Sequence, residues 1–265
     1  VDLDLTHRRL LLDDDFTQPV LDPAIWLPEY LPQWTTPDRC AARYRTGVGL
    51  ELRIDADQPA WSPEWNGELR VSNLQTGVGS GPVGSERGQH RFRPDLIVRT
   101  PREPRTLWSA GLGVVEVTLE GVSDPSALIA LWMIGLEDVP ERSAEVCIVE
   151  QFGRDLIDPS ASRPSGRVGM GLHPFGDSEV QDDFATVDVD DVLGAHTYSV
   201  ERLAHATRFF VDGHLVRTVD QGITYPMQLM LNLYELPLPD GSRAPGPFPR
   251  FARVHRVRAW GPQEG

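Results

Sequence analysis

Residues 127–153 read ALIALWMIGLEDVPERSAEVCIVEQFG, and the fold turns on how this stretch is parsed. Residues 127–134 are wholly apolar and of strand length, and a polar, proline-containing turn over 137–143 follows them. Residues 145–150 (EVCIVE) then resume with strand-like β-branched content. Side chains of a regular strand alternate between faces, so Glu145 and Cys147 would share one face and Glu150 would take the other. One carboxylate would then enter the interior without a visible partner, at a cost on the order of several kcal/mol. One extra residue near Ile148 or Val149, a β-bulge, returns all three side chains to one face. The pattern asks for that bulge, or for a sheet edge that exposes Glu150.

Outward from this stretch, the chain reads as short strands separated by turn residues. The 24 glycines and 23 prolines are scattered throughout its 265 residues, which suits an all-β fold. A chain this long holds an ample core, burying roughly 70–75% of its unfolded surface. No internal repeat or linker divides it, so residues 1–265 are expected to form a single β-sandwich domain. Residues 49–54 (GLELRI) and 67–74 (GELRVSNL) alternate cleanly and read as half-buried strands. The glycine-rich residues 77–88 read as a long hairpin connection that can line a cleft, and residues 89–92 start another strand or turn. Two indoles, Trp61 and Trp65, sit in a Pro-containing loop, either to stack on sugar rings or to plug one end of a sandwich. One short helix is expected near residues 187–193.

Composition removes several function classes. The net charge of −14 disfavours nucleic acid and anionic membranes as partners. All 25 basic residues are arginine, which excludes a Schiff-base lysine and a P-loop lysine. Cys40 and Cys147 make a weak case for a disulfide. No second histidine stands at metal-ligand spacing from His173, so zinc is set aside and no metal or cofactor is expected. The LLLDDDF run at 10–16 reads as a strand end entering a solvated turn rather than a calcium loop. No apolar run approaches the ~18 residues of a membrane helix. The chain opens with neither a leader pattern nor Met, so localisation stays open between cytoplasmic and secreted after processing.

The EVCIVE string resembles the signature of glycoside hydrolase family 16, E-x-D-x-x-E in its bulged form, with Cys147 in place of the central Asp. The resemblance runs in order through most of the chain. It takes in the turn before Trp26, the 113–119 strand (GVVEVTL), the HTYSVE and FFVDG pair at 196–201 and 209–213, the YPMQLMLNL strand at 225–233 and the RVHRVRAW closing strand at 253–260. It implies an antiparallel β-sandwich or jelly roll of the concanavalin A-like lectin and glucanase type. It also implies Glu145 as nucleophile, Glu150 as acid/base and Cys147 in the supporting position between them. Trp132, Trp108, His173, Gln151, Asn232 and Tyr234 are the expected substrate-binding residues.

A retaining glycosidase needs two carboxyls about 5–5.5 Å apart, one ionised to attack the anomeric carbon and one protonated to release the leaving oxygen. Cys147 supplies only a weak S–H donor. Desolvation and two negative neighbours keep that thiol protonated, which argues against a cysteine nucleophile. The expected function is a retaining, endo-acting β-glycan hydrolase, a monomer acting on a neutral polysaccharide or oligosaccharide such as a β-1,3-glucan. The alternative is a non-catalytic carbohydrate-binding protein on the same sandwich. A polysaccharide lyase ranks last, because paired glutamates repel a polyanion.

Overall fold

The computed structural model describes residues 2–263. In chain order the strands are β1 (Arg8–Asp14), β2 (Arg43–Arg45), β3 (Leu50–Ile54), β4 (Arg70–Gln75), β5 (Gly77–Val78), β6 (Arg105–Thr106), β7 (Gly113–Glu120) and β8 (Ala127–Gly135). They continue as β9 (Glu145–Ile157), β10 (Ser165–His173), β11 (Asp183–Val189), β12 (Ala195–Arg202), β13 (Thr207–Val211), β14 (His214–Val219), β15 (Met227–Glu235) and β16 (Arg250–Pro262). The helices are a single turn each, at Pro32–Trp34, Pro37–Cys40 and Pro63–Asn66.

Two antiparallel sheets make the sandwich. The first runs β14-β13-β12-β7-β16-β3-β2, with β1 also paired to β16; the second runs β11-β10-β9-β8-β15-β4. This is the antiparallel jelly-roll sandwich that the family resemblance implies. Asp212 and Gly213, at φ 50° and 80°, turn β13 into β14 with both central residues left-handed, the backbone of a type I′ hairpin.

Alternation sorts β8 into two cores. Ile129, Leu131 and Met133 face the other sheet, while Leu128, Ala130, Trp132 and Ile134 join a second cluster on the opposite face. That second face would meet water in a bare sandwich. Here the loops around Trp34, Trp61 and Leu96 cover it. Both indoles are fully buried, and each N–H is satisfied: Trp34 Nε1 donates to the Gln89 carbonyl at 2.9 Å and Trp61 Nε1 to the Tyr30 carbonyl at 3.0 Å. Trp61 is therefore a plug. Trp65 stays partly exposed beneath the Arg93 guanidinium.

The loop cover explains one departure from the sequence reading: β4 is buried along its whole length rather than half-buried. A second departure lies at residues 187–193. Val187 and Val189 lie in strand β11, paired with Val168 and Gly166 of β10, and a turn follows. Sheet pairing there overrides the short helical pattern. Cys40 and Cys147 are both buried and unpaired.

Candidate active site

The bulge falls where the alternation required it. β8 pairs Trp132 with Cys147 but Leu131 with Val149, so Ile148 is the extra residue. On the other side, β10 pairs Gly171 with Cys147 and Gly169 with Glu150, repeating the shift. Val146, Ile148 and Val149 all enter the core between the sheets. Glu145, Cys147 and Glu150 all line a cavity of about 210 Å³ on the other face, with Trp132, Tyr30 and Tyr234.

Glu145 is buried and has no guanidinium partner among the described residues. Its Oε1 accepts the Cys147 S–H at 2.8 Å, and its Oε2 lies 4.0 Å from His90 Nδ1. Burial raises its carboxyl from 4.5 to about 7, opposed by the thiol hydrogen bond and the His173 charge, with Glu150 adding a small upward push. Burial also raises Glu150, with His173 and Arg154 opposing. Cys147 is pushed well above the usual thiol range by desolvation and then by the two carboxylates. The thiol therefore serves as a neutral donor.

A line of hydrogen bonds runs along the cavity floor. Trp132 Nε1 donates to Asn232 Oδ1 at 2.8 Å; Asn232 Nδ2 donates to Asn73 Oδ1 at 3.1 Å and to the Tyr234 hydroxyl at 2.9 Å. Tyr234 in turn donates to the Tyr30 hydroxyl at 3.1 Å. Both phenols are raised by burial and stay neutral. The line fixes the Trp132 ring, which lines the cavity.

The structure divides the residues singled out from sequence. Glu145, Glu150, Cys147, Trp132 and Tyr234 meet at the cavity. His173 pairs across strands with Glu145, and its Nδ1 bonds Asp182 Oδ1 at 2.6 Å. Three expected contacts are corrected. Asn232 is fully buried beneath the floor and reaches the cavity only through Trp132 and Tyr234. Gln151 follows Glu150 and so points the other way, where its Oε1 accepts the Val122 backbone N–H at 2.6 Å. Trp108 packs against the core between the sheets, away from the cavity.

His90, Tyr30, Glu137 and Phe175 were not singled out from sequence. His90 lies between the 210 Å³ cavity and a larger one of about 950 Å³, lining both. Gly79, Ser80 and Gly88 of the glycine-rich segment line the larger cavity, as does Phe175. The His90 ring sits 4.4 Å from Phe175 and 5.0 Å from Trp132. Burial lowers its pKa to about 4. Its backbone N–H donates to Glu137 Oε1, whose own carboxyl burial raises to about 7. No spacing in the chain links residue 90 to residue 145; only the fold does.

No protein-family model matches the chain, and neither does any curated protein sequence. Solved structures do match. The chain is similar to the GlcNAcα1-4Gal releasing endo-β-galactosidase from Clostridium perfringens, with a TM-score of 0.81 at 22% identity over 97% of this chain. The match spans 63% of that chain's length. It is also similar to the laminarinase from Flavobacterium sp. UMI-01 (TM-score 0.62, 16% identity, 96% of this chain and 100% of that one). The endo-β-1,3-glucanase from Pyrococcus furiosus matches with a TM-score of 0.60 and 14% identity, over 100% of this chain and 98% of that one. At these identities the likeness establishes a shared β-sandwich fold.

Proposed function

We propose that this protein is a retaining, endo-acting β-glycan hydrolase of the family 16 type, with Glu145 as nucleophile and Glu150 as acid/base. The observation that carries this reading is the bulge at Ile148, which sets a buried carboxyl, Glu145, and a half-buried one, Glu150, on one face of a cavity lined by Trp132. Ionised Glu145 attacks the anomeric carbon while the Glu150 proton passes to the leaving oxygen. Glu150, now a carboxylate, then takes a proton from water as that water displaces Glu145. The Cys147 S–H supports Glu145 from the seat between the two acids. Trp132 offers its ring to the apolar face of a sugar. The chain acts as one domain, as a monomer and without a cofactor in the reaction.

A β-galactoside-containing glycan takes precedence over the β-1,3-glucan expected from the signature spacing. The better superposition, 0.81 against 0.62 and 0.60, supports that choice. The second reading, a carbohydrate-binding protein, draws on the Glu145 carboxyl at about 7, which leaves much of the nucleophile protonated at neutral pH.

The test is hydrolysis of a panel of β-galactans, β-glucans and oligosaccharides across pH in chelator. Turnover that rises as pH climbs through about 7, and that Glu145→Gln abolishes, supports the hydrolase. Binding without turnover across the panel leaves the binding protein.

A further inference from the structure

The Glu145 side of the cavity holds donors that glycosidase chemistry does not need. Ligand atoms of Glu145, Cys147 and His173 all lie within 4.8 Å of one another. The sheet register assembles them: two come from β9, and His173 comes from β10 as the direct cross-strand partner of Glu145. A fourth donor arrives independently from the loop over the cavity. His90 Nδ1 is buried, has no hydrogen-bond partner among the described residues, and lies 4.0 Å from Glu145 Oε2. The His90 side chain is nine-tenths buried, and its backbone is held at φ 52°, an uncommon conformation for a histidine. A buried ring nitrogen left unsatisfied in this way costs stability unless something fills the space it faces.

We propose that Glu145, Cys147, His173 and His90 form a binding site for one divalent transition ion of the Zn²⁺ class. Two nitrogens, a sulfur and a carboxylate oxygen make a donor set that suits Zn²⁺ and its spectroscopic substitute Co²⁺ over hard ions such as Ca²⁺ or Mg²⁺. Ligands bonded to a tetrahedral ion at ordinary lengths stand about 3.3–3.8 Å apart, so the widest pair among Glu145, Cys147 and His173 closes by about 1 Å at most. The His173 tautomer suits ligation. Asp182 Oδ1 holds its Nδ1 at 2.6 Å, which leaves Nε2 to carry the lone pair, the carboxylate–histidine–metal arrangement. On binding, the Cys147 thiol becomes a thiolate and its proton leaves to solvent. The ion occupies the oxygen that would attack sugar, so it blocks hydrolysis. That last consequence rests on the function proposed above; the binding does not.

The test adds Co²⁺ alone to chelator-treated protein. The expected result is one Co²⁺ per chain, with intense visible bands of tetrahedral Co²⁺ and a thiolate-to-cobalt charge-transfer band, both bleached by one equivalent of Zn²⁺. Cys147→Ser removes the charge-transfer band. His90→Ala and His173→Ala each weaken Co²⁺ binding by at least about 10-fold, and Asp182→Asn by a similar factor through His173. Circular dichroism and a thermal melt establish that each variant is folded, and Cys147→Asp serves should Cys147→Ser not fold. No cobalt band in the wild type overturns the proposal. So does a band that persists without Cys147, or a weak six-coordinate spectrum that no variant alters. Loss of turnover on adding Zn²⁺ supports the inhibitory role. Failure of the metal-free protein to hydrolyse any glycan would count against the hydrolase and leave the cobalt result standing.

Discussion

Glu116 in the eight-stranded sheet and Glu145 in the six-stranded sheet are both buried, 4% and 8% exposed, and the two regions provide for them differently. Glu116 accepts a hydrogen bond from Arg258 Nε at 2.7 Å and one from the Ser199 hydroxyl at 3.4 Å. Its charge is matched by a guanidinium. Glu145 has a weak thiol donor and a histidine 4.0 Å away. The first sheet spends a buried carboxylate on holding strands together. The second keeps one under-compensated, which is the condition in which a carboxyl shifts its proton affinity and becomes chemically useful. The surroundings match this division. β14 and β16 of the eight-stranded sheet alternate largely with solvent, whereas β8 of the other is buried at every position.

The sharpest way to break the comparison is to neutralise both. Glu145→Gln should lower kcat/KM at least roughly 10⁴-fold, while Glu116→Gln should leave it within about 2-fold; equal losses would erase the distinction. Next in size is Glu235, fully buried at the end of β15 in the six-stranded sheet. It accepts from Arg250 Nη1 at 2.6 Å and Arg243 Nε at 2.7 Å, with Arg70 at 3.5 Å. Its removal takes one of two carboxylates from the buried Arg250, which keeps Asp124 Oδ2 at 2.7 Å, so Glu235→Ala should cost about 3 kcal/mol in urea unfolding. A smaller loss would mean that this end of the second sheet does not hold its charges as Glu116 does.

A pH series sharpens the contrast further. Glu137 and Glu145 are both raised from 4.5 to about 7 by burial, so folding favours their protonated forms. Their contribution to stability is intact below about pH 4.5 and is lost as pH rises through 7. Glu137→Gln should therefore match the wild type at pH 4 and exceed it by about 1–2 kcal/mol at pH 8. A variant that is equally stable at both would mean that the carboxyl is better solvated than its burial implies. The smallest effect belongs to the eight-stranded sheet. Gly213→Ala, at φ 80°, should cost about 1 kcal/mol through turn strain and leave kinetics unchanged.

The fold was legible because alternation and turn residues act locally, and the bulge was legible because two acids at an odd spacing cannot otherwise share a face. Glu145, Cys147 and Glu150 came with it. Asn232 and Gln151 were misjudged for related reasons. Asn232 has the right parity for the cavity face but lies beneath Trp132 and Tyr234, and Gln151 stands one position beyond the last useful residue. Trp108 stands outside any strand, where parity carries no information. His90 was invisible because a loop, not a period, delivers it. The nearness of His173 to Glu145 was not legible along the chain, because the two meet across a strand pair.

The extra residue at position 148 acts on the strand as a phase shifter. Residues before it and after it are read in opposite parity, so removing it would exchange inside for outside on one side of the break. Every substitution at 145, 147 and 150 leaves that phase untouched. The middle seat can hold aspartate, cysteine or another small side chain without disturbing the strands that carry its neighbours. A scaffold with this property can change the reagent at its centre while keeping the frame that aims it.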